Sequence, residues 1–322
     1  MIRIMRIKKY KVPIAAFFSL ILMFVLVVIS KSIAPSDFPR STIIRVEKNM
    51  TVSEIGAILK GKGIVRSALI YKIYVVLLHD GKGIQAGSYL FDHPQSALRI
   101  AYRTAYGLSE LQKVKVTIYE GLNSKQIATA IKKNIPSFDA KTFLVEAKKS
   151  EGYLFPETYF FSPEAKPDEV IAEMKAQFDK KILAVKDALA TSTHSLGDIM
   201  IMASILEEEA NDTQDRRMIA DVLWKRINKG MNLQVDVPFY YIMNKGSAPL
   251  TLEDLATTSP YNTYLYKGLP PTPISNPGLD SIRAALFPAK NPYYFYLADK
   301  NGVTHYATNH DGHLANRVKY LQ

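Results

Sequence analysis

The apolar and polar positions divide the chain into one unbroken apolar run near its start and a long, mixed remainder. Residues 12–30 (VPIAAFFSLILMFVLVVIS) carry no charge over 19 positions. As an α-helix this run rises roughly 28 Å, about the hydrocarbon thickness of a bilayer. Five Lys or Arg residues precede it within residues 1–11. The positive-inside rule therefore places the N-terminus in the cytoplasm and everything beyond the run outside the cytoplasmic (inner) membrane. A cleaved signal peptide is the rival reading. Its apolar core is usually shorter, and no A-x-A-like site follows Ser30. No second run of this length occurs, so the pattern predicts a single-pass anchor.

Beyond the run the periodicities alternate between those of strands and helices, which predicts an α+β class. Residues 34–40 (APSDFPR) read as a short polar linker. Residues 41–46 read as a strand, 51–59 as an amphipathic helix opened by a Thr51…Glu54 capping box, 67–78 as a more apolar helix, and 85–91 as a strand. Strand–helix–helix–strand in this short span resembles a LysM-like module. A further helix follows at 96–105, then an alternating strand at 113–119. Helices are predicted over 167–190, 195–209, 212–229 and 279–287, and a hairpin over 293–307 with Asn301-Gly302 in its turn. The division is thus a cytoplasmic tail (1–11), a transmembrane helix (12–30), a linker (31–40), a LysM-like module with a connecting helix (41–112) and a catalytic domain (113–322).

Charge changes this picture little. The net charge is +11, but residues 1–31 hold six Lys or Arg and no acid, which leaves +5 for the remainder. That is a mildly basic exported part, suited to an anionic wall or headgroup surface and not a nucleic-acid footprint. The chain has no cysteine, so disulfides, thiolate metal sites and a cysteine nucleophile are excluded. The six histidines are scattered and suggest no metal site.

The candidate chemistry lies at the end of the apolar helix over 195–209. Ser195 and Asp198 form a capping pair, the interior is apolar on nearly every side, and Glu207-Glu208-Glu209 close it. Three adjacent carboxylates at the negative end of a helix dipole are unfavourable. Glu209 follows Met202, Ile205 and Leu206 at helical spacing, so it extends the greasiest stripe. A carboxyl there loses hydration and holds its proton to higher pH, as a general acid requires. The alternative is three helix-end charges that simply reach solvent.

Downstream come Leu233-Gln234-Val235-Asp236, then Ser259-Pro260-Tyr261-Asn262-Thr263-Tyr264. These are followed by Gly268-Leu269-Pro270-Pro271-Thr272-Pro273-Ile274-Ser275-Asn276-Pro277-Gly278, by the aromatic strand at Tyr293 and by His305-Tyr306. Together with residues 203–209, and with Glu120-Gly121 and the 151–159 stretch, this order and spacing resembles the YceG-like family of endolytic murein transglycosylases. The resemblance implies a LysM-like module and a catalytic domain whose general acid/base is Glu209. It also implies action on peptidoglycan glycan strands at the cytoplasmic membrane, beside cell-wall synthases such as penicillin-binding proteins, without a cofactor. Two positions depart from the family pattern: Ala210 where Thr is usual, and Val235 where Ser or Thr is usual.

Gln234, Asp236, Tyr261 and Asn262 are the further candidates for binding substrate. Each has a second reading: Asp236 as a turn cap, Asn262 as a satisfier of loop backbone groups, Tyr261 as packing. The proline-rich stretch 270–277 is either a cleft wall or a stiff connection. Glu157 reads as a surface charge, and His305 and His313 as packing or hydrogen-bonding residues. Two other functions stay open on sequence alone. One is a lysozyme-type hydrolase with Asp236 activating water. The other is a non-catalytic wall-binding adaptor.

Overall fold

The computed structural model describes residues 8–79, 83–243 and 250–321, so the first seven residues of the expected tail lie outside the described residues. The chain forms two compact units that divide between Gln112 and Lys113.

The first unit begins with helix α1 (Lys8–Ser32), whose window Ala15–Ser32 has a mean hydropathy of 2.3. It continues with β1 (Thr42–Val46), α2 (Val52–Gly61), α3 (Ala68–His79), β2 (Gly87–Phe91) and α4 (Ala97–Tyr106). β1 and β2 pair antiparallel, with Ile44 opposite Tyr89. Their inward residues meet Ile55, Leu59, Tyr71, Val75 and Ile100 in one core. The expected capping box opens α2: Thr51 accepts from the Glu54 amide, and Glu54 accepts from the Thr51 amide at 2.7 Å.

The second unit contains β3 (Val114–Thr117), α5 (Ser124–Asn134), α6 (Ala140–Ala147), β4 (Thr158–Phe161), α7 (Pro167–Ile182), α8 (Lys186–Thr191), α9 (Leu196–Glu209), α10 (Thr213–Asn228), α11 (Val237–Met243), α12 (Leu252–Leu255), α13 (Leu279–Leu286), β5 (Phe295–Ala298), β6 (Thr304–Ala307) and α14 (His310–Tyr320). β3 pairs antiparallel with β4, and β5 with β6. Two apolar clusters fill this unit. One joins β3, β4 and α5–α7. The other surrounds α9, which α10 and α13 flank.

The continuous helix expected over 167–190 is two helices. A 3-10 turn at Leu183–Val185 separates α7 from α8 and leaves Val185 buried in the α9 cluster. No Gly or Pro marks this break; tertiary packing sets it.

Candidate active site

α9 begins and ends as its sequence dictates. Ser195 caps it and exchanges hydrogen bonds with Asp198, and every residue from Ile199 to Leu206 is buried. An all-round apolar helix of this kind is fixed on every side, so the residue at its end is fixed too.

The three closing glutamates diverge as helical spacing requires. Glu207 turns into the protein, where its carboxylate accepts from the Gly278 amide at 2.8 Å and from the Arg216 guanidinium at 3.1 Å. Arg216 reaches on to Asp280 at 2.7 Å. Glu208 is exposed. Glu209 points the other way. The Tyr296 hydroxyl on β5 donates to it at 2.8 Å, and part of its surface stays open to solvent while protein surrounds the rest. Loss of hydration pushes the Glu209 carboxyl up to about 7; the Tyr296 hydrogen bond opposes this, and the charges of Asp236 and Glu208 add to it. Burial and the Glu209 charge together hold the Tyr296 hydroxyl firmly protonated, hence a permanent donor.

Asp236 stands in the same electrostatic neighbourhood and accepts from the Tyr264 hydroxyl at 2.6 Å. Tyr240 on α11 feels both Asp236 and Glu209, as does Tyr264. Glu209, Asp236, Tyr240, Tyr264 and Tyr296 thus form one cluster of two carboxyls and three phenols. Arg226 on α10 is buried beneath it. Its guanidinium donates to the Tyr294 carbonyl at 2.7 Å and the Leu233 carbonyl at 2.6 Å, and lies 5.0 Å from the Phe295 ring centre. One side chain therefore fixes the strand that carries Tyr296 and the segment that carries Asp236. No local sequence signal points to Arg226 or Tyr240 as part of this cluster. Tyr264 and Tyr296 lie within the 259–264 motif and the aromatic run 293–298, and that run is the signal for Tyr296.

The other expected residues divide. Gln234 is exposed, with a backbone φ of +52 that is uncommon outside glycine. Its amide is held by the Thr263 carbonyl at 3.1 Å. Val235 is buried in the core, with its amide and carbonyl both bonded to the Thr263 hydroxyl. A packing side chain at this position thus leaves the local backbone bonding complete. Tyr261 bonds Thr272 at 2.7 Å and packs on Tyr241.

Asn262 is fully buried. Its amide donates to the carbonyls of Leu255 and Thr257, and its oxygen accepts from the amides of Tyr264 and Leu265. All four of its hydrogen-bonding positions are spent on the loop. Of its two readings, substrate contact or loop building, these bonds match the second and leave the side chain nothing to offer a ligand.

The proline-rich stretch is a brace. Ile274 and Ser275 bond Ser204 of α9, and Asn276 bonds Leu122, Glu151 and Leu154. Pro273 lies so close to Gly152 (φ +88) that a Cβ there would sit 2.5 Å from its ring. Glu151 is itself buried, accepting from the Ser124 amide at the start of α5, from Asn276 and from Tyr241.

Glu157 pairs with Lys181 at 2.9 Å, which holds its carboxyl below the usual range. His305 stacks on Tyr320 and His313 on Phe295. A cavity of about 660 Å³ opens near His194 and Trp224, beside the other end of α9. It shares no residue with the carboxyl cluster, and the chemistry of Glu209 makes the cluster the better site. Among the described residues, no three His, Asp or Glu side chains are grouped to hold a metal ion.

The chain matches the family model described as the YceG-like family over residues 44–319. It is 31% identical over 312 residues to the endolytic murein transglycosylase of Bacillus subtilis, covering 88% of this chain and 86% of that protein. It is 28% identical over 325 residues to the endolytic murein transglycosylase of Streptococcus pneumoniae, covering 86% of this chain and 58% of that longer protein. Among solved structures it resembles a YceG-like protein from Listeria monocytogenes, with a TM-score of 0.58 and 29% identity over 86% of this chain and 99% of that one. With its carboxyl-bearing helix and its matching motifs, the chain is a member of the YceG-like family.

Proposed function

We propose that this protein is an endolytic murein transglycosylase that cuts peptidoglycan glycan strands, with Glu209 as both general acid and general base. One observation carries the reading: at the end of a buried helix Glu209 keeps part of its surface open to solvent and accepts one hydrogen bond, from Tyr296, in a setting where lost hydration raises its carboxyl. Protonated, it gives that proton to the oxygen linking N-acetylmuramic acid to N-acetylglucosamine as the C1–O bond breaks. Ionised, it takes the proton from the muramic 6-hydroxyl, whose oxygen bonds to C1. The sugar supplies its own nucleophile at high effective concentration, no water is consumed, and the new end is a 1,6-anhydromuramoyl residue. One carboxyl then does work that a hydrolytic glycosidase divides between two. The charge of Asp236 supports the positive character of the ring at C1 and helps keep Glu209 protonated in the free enzyme. Tyr296 steadies Glu209 through the cycle. Gln234 and Tyr261 are the remaining candidates for sugar contacts.

The apolar helix α1 reads as a single-pass anchor with the N-terminus in the cytoplasm and the catalytic unit outside. The β1–α2–α3–β2 order with paired outer strands supports a LysM-like, glycan-binding reading of the first unit. An enzyme so placed meets strands as they are made, beside penicillin-binding synthases.

The test is mass spectrometry of purified peptidoglycan digested by the full-length protein in detergent, run in H₂¹⁸O. New ends one water lighter than hydrolytic ends and free of ¹⁸O support the reading. Reducing ends carrying ¹⁸O would make the protein a hydrolase, with Asp236 and its Tyr264 partner activating water.

A further inference from the structure

The first unit has a face that its core does not explain. On α3, Leu69, Ile73, Val76 and Leu77 are 42–73% exposed. Their spacing of four, three and one residues places them on one side of the helix, with Lys72 as the sole charged neighbour. The opposite side of α3, with Tyr71 and Val75, is already buried in the core. Apart from Lys72, α3 is therefore apolar on both its buried and its exposed side, as helices are when something besides water covers them. The contrast within the unit is direct: the exposed face of α2 presents Ser53, Glu54 and Lys60. A similar face continues on α4, where Leu98, Tyr102 and Tyr106 are exposed four residues apart. Tyr106 bonds the Leu78 carbonyl at the end of α3.

The neighbours of these two helices indicate what covers them. α1 packs against both α3 and α4. At its last residue, the Ser32 hydroxyl bonds the Tyr74 hydroxyl in the middle of α3 at 2.6 Å, and two residues on, the Ala34 carbonyl accepts from Arg66. The end of a spanning helix lies at the headgroup level, so α3 is tied to that level at its midpoint. Lys31, Arg66 and Lys72 put positive charge around the junction, and Tyr74, Tyr102 and Tyr106 are amphipathic side chains of the kind enriched at a membrane interface.

We propose that α3, with the adjoining edge of α4, is an interfacial helix that seats the first unit on the lipid surface around the anchor. The occupant of the exposed face is the bilayer itself, entered to about 5–10 Å at the headgroup–acyl boundary. The Lys72 ammonium donates to the Ser53 hydroxyl of α2 at 3.0 Å, so the one charge beside this face is paired within the unit. The inference rests on reading α1 as a membrane span. It goes further in making the first unit a membrane-seated base rather than a domain on a free tether.

The absence of cysteine allows single labelling sites throughout the chain. Full-length Ile73→Cys, Leu77→Cys, Phe18→Cys and Val145→Cys proteins, each carrying an environment-sensitive fluorophore, are reconstituted in vesicles of phosphatidylethanolamine and phosphatidylglycerol. Phe18 reports the span, and Val145, exposed on α6, reports water. The expected result is quenching at 73 and 77 by shallow lipid-borne nitroxides and protection from aqueous iodide, with the reverse at 145. If positions 73 and 77 match 145 while 18 is lipid-quenched, the interfacial helix is wrong and the anchor stands. If 18 is not lipid-quenched, the anchor reading fails and takes this one with it. Shielding at 73 and 77 from both quenchers, persisting in detergent and rising with protein concentration, would assign the face to a second copy and overturn the proposal.

Discussion

Two glutamates in the second unit, one buried and one half-buried, make opposite uses of the same side chain. Glu151 is 5% exposed and accepts from the Ser124 amide at 3.0 and 3.2 Å, from Asn276 at 2.8 Å and from Tyr241 at 3.4 Å. It sits at the first turn of α5, the positive end of a helix dipole. Glu209 sits at the last position of α9, the negative end, near two other carboxyls and with one donor, Tyr296. Burial raises both carboxyls, but at Glu151 every further influence lowers it, while at Glu209 two neighbouring charges push the same way as burial. Burial alone therefore does not make an acid catalyst. Unspent hydrogen-bonding capacity, an adverse field and an opening to solvent separate Glu209, the proposed acid, from the structural Glu151.

The largest expected effect breaks the comparison at its reactive member. Glu209→Gln should lower the rate of strand cleavage by about 10²–10⁴-fold, the usual contribution of a positioned acid–base group, while circular dichroism and thermal melting report an intact fold. Loss of folding alongside activity would assign Glu209 to structure instead. Glu151→Ala should do the converse. It strands the Ser124 amide and the Asn276 side chain in the interior and should cost about 2–4 kcal/mol in urea unfolding. Cleavage per folded molecule at low temperature should be largely kept.

A smaller effect sharpens the contrast through pH. The proton on Glu209 is held more tightly in the folded than in the unfolded protein, from an ordinary value of 4.5 to about 7. Its favourable contribution is therefore complete below pH 4.5 and lost as pH rises through about 7. Glutamine mimics the protonated form. The stability of Glu209→Gln relative to wild type should be near zero at low pH and positive above neutrality, on the order of 1–3 kcal/mol after allowance for partial solvent access. An active-site group that costs stability in its charged form is the expected trade-off. Smallest is Tyr296→Phe. Removing the donor removes an influence that favours the ionised carboxyl, so the alkaline fall of the pH–rate profile should move to higher pH. A shift to lower pH would show that the phenol acts in some other way.

The sequence made α9 legible because its signals are local: a capping pair, an apolar interior and three acids whose helical spacing alone separates Glu209 from its neighbours. The partners of Glu209 were not legible, because Tyr296 lies 87 residues away and Arg226 acts through backbone carbonyls of two distant segments. Asn262 illustrates the same limit. Its motif was visible, but only the fold shows that its four bonds close on its own loop. The proline-rich stretch was visible as stiff, whereas its contact with Ser204 some 70 residues earlier decided that it braces α9.

A proton held by Glu209 near neutral pH is what the proposed chemistry requires, and titrating that carboxyl tests it most directly. Protein labelled with ¹³C at the glutamate side-chain carboxyl is followed by NMR across pH, and the Glu209 signal is identified as the one missing from Glu209→Gln. A midpoint close to 7 is the predicted result. A midpoint near the ordinary 4.5 would mean an ionised side chain at neutral pH with no proton to give, and would contradict the assignment of Glu209 as the acid.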